Sequence, residues 1–296
     1  HYGVATTAAK VSQQFWIIGV TRLAKTIKYR CFQCRSFERK TEQQYMADLP
    51  KERNMPFTPP FHCTAVDYFG PYEVKISRKT MTKHYGVIFT CMNTRAVHLE
   101  LAVNCSTEEF LQVLRRFFAI RGKPAYLQSD NGTQFVSVDK ELRSMIQGWD
   151  KEKLQEYCAG HQTTWRFITP LSPHHNGCVE ALVKSCKNAL RKAVGSQRMK
   201  PFELYTYLKE AANLVNQRPI GRVPNDPDDG SYLCPNDILL GRSSSRVPQG
   251  PFKETKDPRN RFAFVQRIVE AFWKIWSRDV FPHLVPRKNG MLIEET

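Results

Sequence analysis

Apolar and polar positions change their spacing along this chain, and each change predicts a different kind of element. In "VSQQFWIIGVTRLAKTIKYRCFQCRSF", Phe15, Trp16, Ile18, Val20, Leu23 and Ile27 recur among basic residues, so residues 1 to about 48 read as helical. "MPFTPPF", Met55 to Phe61, holds three prolines and predicts an extended linker. From Phe61 the pattern becomes that of strands. "FHCTAVDYFGPY" is a short apolar strand ending in Gly-Pro, and "HYGVIFTCMNTRAVHLELAV" reads as two strands joined at Met92-Asn93-Thr94. "STEEFLQVLRRFFAIRG" is a helix. Ser106 and Glu109 predict a capping box, Phe110, Leu111, Leu114, Phe117 and Phe118 its buried face, and Gly122 its end.

"PAYLQSD" is the next strand, followed by a polar, helix-permissive stretch to about Gly160 and the strand "TTWRFITP". In "NGCVEALVKSCKNALRKAVG", Val179, Leu182, Val183, Cys186, Leu190 and Val194 keep helical spacing and Gly195 ends the helix. "PFELYTYLKEAANLVNQRP" is a further amphipathic helix. Beyond it the chain turns rich in Pro, Asp, Gly and Ser, then closes with a helix over about 261–278 and a basic tail. Three strands in a row, followed by alternating strands and helices, imply an α/β fold with a mixed sheet flanked by helices. The expected organisation is a helical region 1–50, a linker 51–60, a core 61–222, and an irregular segment with a helix over 223–296.

Charge narrows the partner. Lys plus Arg number 44 against 28 Asp plus Glu, a net +16 with a pI near 9.5. That excess favours a polyanion, nucleic acid before membrane, over a small-molecule substrate. No stretch approaches the about 18 apolar residues that cross a bilayer. The nine cysteines, an odd number mostly in apolar or helical contexts, fit a reducing compartment better than a disulfide framework. The chain begins at His1 without a Met, as a fragment or processed product would.

Three acids stand out by context. Asp67 interrupts the apolar strand "TAVDYFG", where an unpaired carboxylate is costly and strands are poor in Asp. Asp130 ends "AYLQSD" just before Asn131-Gly132; alone it would be an ordinary turn residue. Glu180 lies near the start of its helix; alone it would be an acid favoured by the helix dipole. Together they can converge at one sheet edge. Such an oxygen ligand set suits Mg²⁺ or Mn²⁺, and two ions can activate an attacking oxygen and stabilise a leaving one. Lys184, Lys187 and Arg191 follow Glu180 at four, seven and eleven residues, on one helix face, as a stripe for a phosphate backbone. The preceding loop offers His174, His175 and Asn176 as donors.

The order "TAVDYFGPY", "LQSDNGTQF" and "PLSPHHNGCVEALVKSCKNALRK" resembles the catalytic core of retroviral-type integrases, most nearly those of BEL/Pao-like LTR retrotransposons. The resemblance implies a ribonuclease-H-like fold. It also implies a D,D,E triad of Asp67, Asp130 and Glu180 holding two Mg²⁺ or Mn²⁺ ions. The expected activity is 3′-end processing of element DNA and strand transfer into target DNA by a homo-multimer, in the nucleus and in cytoplasmic virus-like particles. "FWIIGVTRLAKTIKYRCFQCR" is similar to the family's zinc-binding region. By that likeness Cys31, Cys34 and His1 are zinc ligands, three of the four that a structural zinc takes, so the site is incomplete. "FVQRIVEAFWKIWSRDVFPHL" resembles the helix leading to the family's C-terminal barrel, which is missing here. The stretch between Asp130 and Glu180 is longer than is usual in retroviral enzymes, and Cys178-Val179 stands where the family has a bulky residue before the acid. Two competing readings are a host-adopted or decayed relic that binds DNA without catalysis, and a ribonuclease-H-like nuclease acting on RNA–DNA hybrids.

Overall fold

The computed structural model describes residues 3–33, 51–129, 146, 148–167, 177–220, 232–241 and 260–283. The chain falls into two compact units, His1–Asp48 and Leu49–Thr296. In the first, helices α1 (Val4–Ser12) and α2 (Val20–Arg30) pack on each other, and Ala8 and Ala24 are their buried residues. The large apolar residues that mark the helical pattern stay outside this interface: Trp16 is 89% and Ile18 85% exposed, with Phe15, Leu23 and Ile27 exposed as well. A pair of short helices meeting at alanines has too small an interface to bury them.

The second unit is built on five strands. β1 (Cys63–Lys75), β2 (Met81–Cys91) and β3 (Val97–Ala102) form an antiparallel meander. β4 (Tyr126–Ser129) adds to the other side of β1 in parallel, and β5 (Thr164–Phe167) adds in parallel to β4. The sheet order is β3-β2-β1-β4-β5, the ribonuclease-H-like arrangement expected from the sequence. β1 does not stop at Gly-Pro as expected. Its pairing with β2 slips between Phe69 and Tyr72 and then resumes to Lys75. Gly70, at φ +119, takes a conformation L side chains rarely adopt, and the irregularity accommodates Pro71, which has no N–H to give the ladder.

Helices cover both faces. On one, α3 (Thr107–Arg121) and α4 (Lys151–Gly160) set Phe110, Leu114, Phe117 and Leu154 against Val66, Tyr68, Val87 and Phe89. Val113 and Thr107 complete the buried face of α3, whereas Leu111 and Phe118, expected there, are only partly buried. The expected capping box is half formed. Ser106 Oγ accepts from Glu109 N–H at 3.2 Å, but Glu109 Oε1 turns to Val103 N–H, and Asn104 Oδ1 serves Ser106 N–H at 2.9 Å. On the other face lie α5 (Gly177–Val194), α6 (Pro201–Val215) and α8 (Arg261–Val280); α7 (Pro235–Leu240) is a short turn between α6 and α8. Val183, Cys186, Leu190, Tyr207, Leu208, Phe272 and Trp276 share a core with Ile88 and Leu99, so α8 is a core helix.

Two buried polar devices fix the β3 edge. Asn216, at the end of α6, accepts Val97 N–H with Oδ1 and donates to Val97 O with Nδ2, both at 2.7 Å. Glu100 is fully buried and surrounded by donors: His98 Nε2–H at 2.9 Å, Arg116 Nε–H at 3.3 Å, and the Lys209 ammonium. Arg121 Nε–H donates to His98 Nδ1 at 3.3 Å, which requires a neutral imidazole. Burial opposes the Glu100 charge, but the hydrogen bonds from His98 and Lys209 outweigh it and hold the carboxyl at about 2. Burial brings His98 down to about 4.

Two predictions follow from these ties. Asn216→Ala orphans a buried N–H and C=O and should lower the unfolding free energy by about 2–4 kcal/mol in urea denaturation. Stability should also fall with acid in two windows. His98 takes a proton in the unfolded chain near 6.5 but in the fold only near 4, so its contribution declines between those values. Glu100, depressed from 4.5 to about 2, contributes fully above 4.5 and is lost as pH falls toward 2. His98→Gln should remove the first decline, on the order of 3 kcal/mol, and narrow the second, because the His98 hydrogen bond is part of what holds Glu100 down.

Candidate active site

Asp67 sits in mid-sheet, opposite Ile88 of β2, one residue beyond Val66, where the pairing of β1 with β4 ends. Ser129, the last residue of β4, is level with both Val66 and Phe167 of β5. Its hydroxyl accepts from Trp165 Nε1–H at 2.8 Å, which locks the ends of β4 and β5 together. The C-terminal ends of two parallel strands thus come out beside Asp67. Local sequence explains the position. Val66 and Tyr68 flank Asp67 in one core cluster, while Ala65 and Phe69 belong to the other, so alternation turns Asp67 toward the α5 side.

The two carboxylate oxygens of Asp67 have different surroundings. Oδ2 accepts from the Lys187 ammonium, which also donates to Tyr68 O at 2.8 Å. Oδ1 is buried and takes no hydrogen bond among the described residues. The side chain as a whole is 25% exposed, yet this one oxygen is shielded. A shielded anionic oxygen with no donor is unfavourable unless a cation meets it. Asp67 also borders a small cleft lined by Val66, Tyr68, Phe110, Ser129, Ile146 and Trp149. Phe110 and Trp149 stack at 4.6 Å, and Trp149 Nε1–H is held by Cys105 O at 2.8 Å. The wall of the cleft is therefore rigid and aromatic. Burial pushes the Tyr68 phenol well above its ordinary value.

Glu180 lies in the first turn of α5; only its backbone is described. Lys184 and Arg191 are exposed on that helix, as a phosphate-binding stripe requires. Lys187 departs from the expected stripe. It turns inward, half-buried, onto Asp67, because a carboxylate within hydrogen-bonding reach outcompetes solvent for its ammonium. Asp130, His174, His175, Asn176, His1 and Cys34 lie outside the described residues. Cys31 caps α2, half-buried. Among the described residues no group of three or more His, Cys, Asp and Glu is placed to hold a metal ion. Burial pushes the thiols of Cys63 and Cys158 up to about 11 and that of Cys186 up to about 12, so these are core residues and poor thiolates.

Sequence reasoning missed the Lys187–Asp67 contact and the Glu100 cluster. For Glu100 the signal was present: an acid inside the apolar "VHLELAV", the same context that singled out Asp67.

No protein-family model and no curated protein matches this chain. Solved structures similar to it are retroviral integrases. One is the intasome of simian T-cell lymphotropic virus in complex with the PP2A regulatory subunit B56 gamma, at 16% identity and a TM-score of 0.41, covering 84% of this chain and 74% of that one. Another is the HTLV-2 integrase catalytic core domain in complex with magnesium, in dimeric form, at 20% identity and a TM-score of 0.31, covering 46% and 74%. A third is the catalytic core domain of BIV integrase, at 17% identity and a TM-score of 0.38, covering 61% and 95%. At these scores and identities the likenesses carry no weight beside the strand order and the surroundings of Asp67.

Proposed function

We propose that this chain is an integrase of a BEL/Pao-like retroelement, a metal-dependent polynucleotidyl transferase that processes element DNA ends and joins them to target DNA. The observation that carries the reading is Asp67. Its carboxylate stands at the end of a parallel strand pair, with one oxygen held by Lys187 and the other shielded and, among the described residues, without a donor. That orphaned oxygen fits a divalent cation. By motif, Asp130 and Glu180 complete the ligand set for Mg²⁺ or Mn²⁺. Ser129, the residue before Asp130, is level with Val66, and the α5 helix that carries Glu180 is tied to Asp67 through Lys187. When bound, the ions supply Lewis acidity to the attacking and leaving oxygens.

The chain's own groups do the rest. β1 fixes where Asp67 stands, and its neighbour Tyr68 is anchored on the opposite face of the sheet against Phe110 and Trp149. Lys184 and Arg191 bind phosphates on either side of the reacting one, with His174, His175 and Asn176 as further donors. The reacting oxygen is that of water in end processing and of a DNA 3′-hydroxyl in joining. Each displaces an oxygen of a phosphodiester in line, with no covalent enzyme intermediate. His1, Cys31 and Cys34 are zinc ligands in this reading, the protein acts as a homo-multimer, and its place of action is the nucleus.

Incubating the chain with element-end DNA and Mg²⁺ or Mn²⁺ should yield processed and joined products. Glu180→Gln and Asp67→Asn should reduce them by more than the about 10–100-fold that outer partners of a metal site cost, while salt-sensitive DNA binding persists. Tight binding without products in either metal would leave the DNA-binding relic, and cleavage of RNA–DNA hybrids alone would select the nuclease. Lys187 yields a second test. Its ammonium competes with a cation for Asp67, so in Lys187→Met the Mn²⁺ dissociation constant, measured by calorimetry, should fall by about tenfold, roughly 1.4 kcal/mol. An unchanged or weaker affinity would show that the two do not compete.

A further inference from the structure

Past Val66, where β4 ends, β1 continues from Asp67 to Lys75 and turns into β2. The chain after α5 comes back to this flank. Val74 bridges Met199 in parallel, and Lys75 N–H donates to Met199 O at 2.9 Å. The stretch from α5 to Met199 is thus held to β1 at two points, Lys187 at Asp67 and Met199 at Val74. Between those points it runs beside the strand, outward from the candidate active site.

Cations mark the outer half of this path. Lys75, Arg78, Lys79 and Lys83 are exposed on the hairpin, and Arg191 and Arg198 are exposed on the segment beside it. Between Tyr72 and Lys83 the one acid is Glu73, and it stands 3.9 Å from Arg198. A hairpin charged only for solubility would mix its signs evenly; this one sets four cations against one acid, Glu73, which stands opposite Lys83. Its tip is ordered: Ser77 Oγ lies 2.9 Å from Thr80 Oγ1 and accepts Thr80 N–H at 3.1 Å. The cations are therefore presented on a fixed backbone at a set distance from Asp67. Eight residues of strand separate Asp67 from Lys75, roughly 26 Å. A duplex covers that distance in about eight base pairs. Charges strung out over such a length do not converge on a small anion. They match the regular charge of a nucleic-acid backbone.

We propose that the β1–β2 hairpin and the loop after α5 form a second phosphate-binding surface, which holds a DNA duplex about eight base pairs from the reacting phosphodiester. The proposal rests on Asp67 marking the site of phosphoryl transfer. It adds a contact that fixes the direction in which the duplex leaves that site.

The test uses the full chain and the double variant Arg78→Glu/Lys79→Glu, whose tip position leaves the core untouched; an unchanged melting temperature checks this. Fluorescence anisotropy is measured on labelled duplexes of about 6 and about 16 base pairs over a range of salt. A short duplex can occupy the α5 half of the path alone, so the variant should bind it within twofold of the wild type. The long duplex should bind at least tenfold more weakly, with a salt slope shallower by about two. Equal affinity for both proteins on the long duplex overturns the proposal. An equal loss on both lengths also overturns it, since the hairpin would then act only through a general field. If the wild type binds neither duplex, the reading of the site as DNA-directed fails, and this surface with it.

Discussion

One contact organises the candidate site of this protein: the Lys187 ammonium against the Asp67 carboxylate. It joins the central strand to the helix that carries Glu180. It supplies the positive charge without which a half-buried acid in a strand would be unfavourable. It also leaves one carboxylate oxygen shielded and, among the described residues, without a donor. The tie between strand and helix and the candidate cation ligand therefore meet at the same pair of side chains. An ammonium is a compact point charge, easily exchanged for another cation, where an arginine fork would grip both oxygens.

The comparison with Glu100 shows why this arrangement points to chemistry. Both acids interrupt apolar strands, and neither is tolerable without partners. At Glu100 the demand is met in full: His98, Lys209 and Arg116 serve both oxygens, and Arg121 orients the imidazole. The result is a closed network of the kind that ties structure together. At Asp67, among the described residues, the demand is met by half. A fold able to surround one acid with donors leaves the other open at the end of a parallel strand pair. That difference separates a structural carboxylate from a ligand better than burial does.

Much of this was legible in the chain. Three strands in succession and then strand–helix alternation gave the mixed sheet, because periodicity follows from which faces must be buried. The α3 helix began after Ser106 and ended at Gly122 for the local reasons expected. What was not legible depends on partners far apart in sequence. Lys187 read as part of an outward phosphate-binding stripe, since helical spacing shows which residues share a face and not what that face meets. Glu109 was expected to close a capping box, but Val103 N–H and Arg116 compete for it. The strand through Gly70-Pro71 outran its local signals because β2 continues to pair beyond the irregularity. In the N-terminal unit, helical spacing located apolar residues that two short helices cannot bury.

The geometry of α5 has a further consequence. Its inner face anchors in the core through Cys186 and Leu190, its first turn carries Glu180, and the chain after it pairs with the hairpin through Met199. The helix cannot shift along its axis without pulling at both the Asp67 contact and the Val74 bridge. The cations Lys184, Lys187 and Arg191 and the candidate ligand Glu180 are thus carried by one element, in a set register along the β1 strand that carries Asp67. A duplex gripped by the outer cations would be indexed against the carboxylates with little freedom to slide. Positioning of that kind is what phosphoryl transfer asks of a protein, since the bond changes need alignment and charge more than they need a reactive side chain.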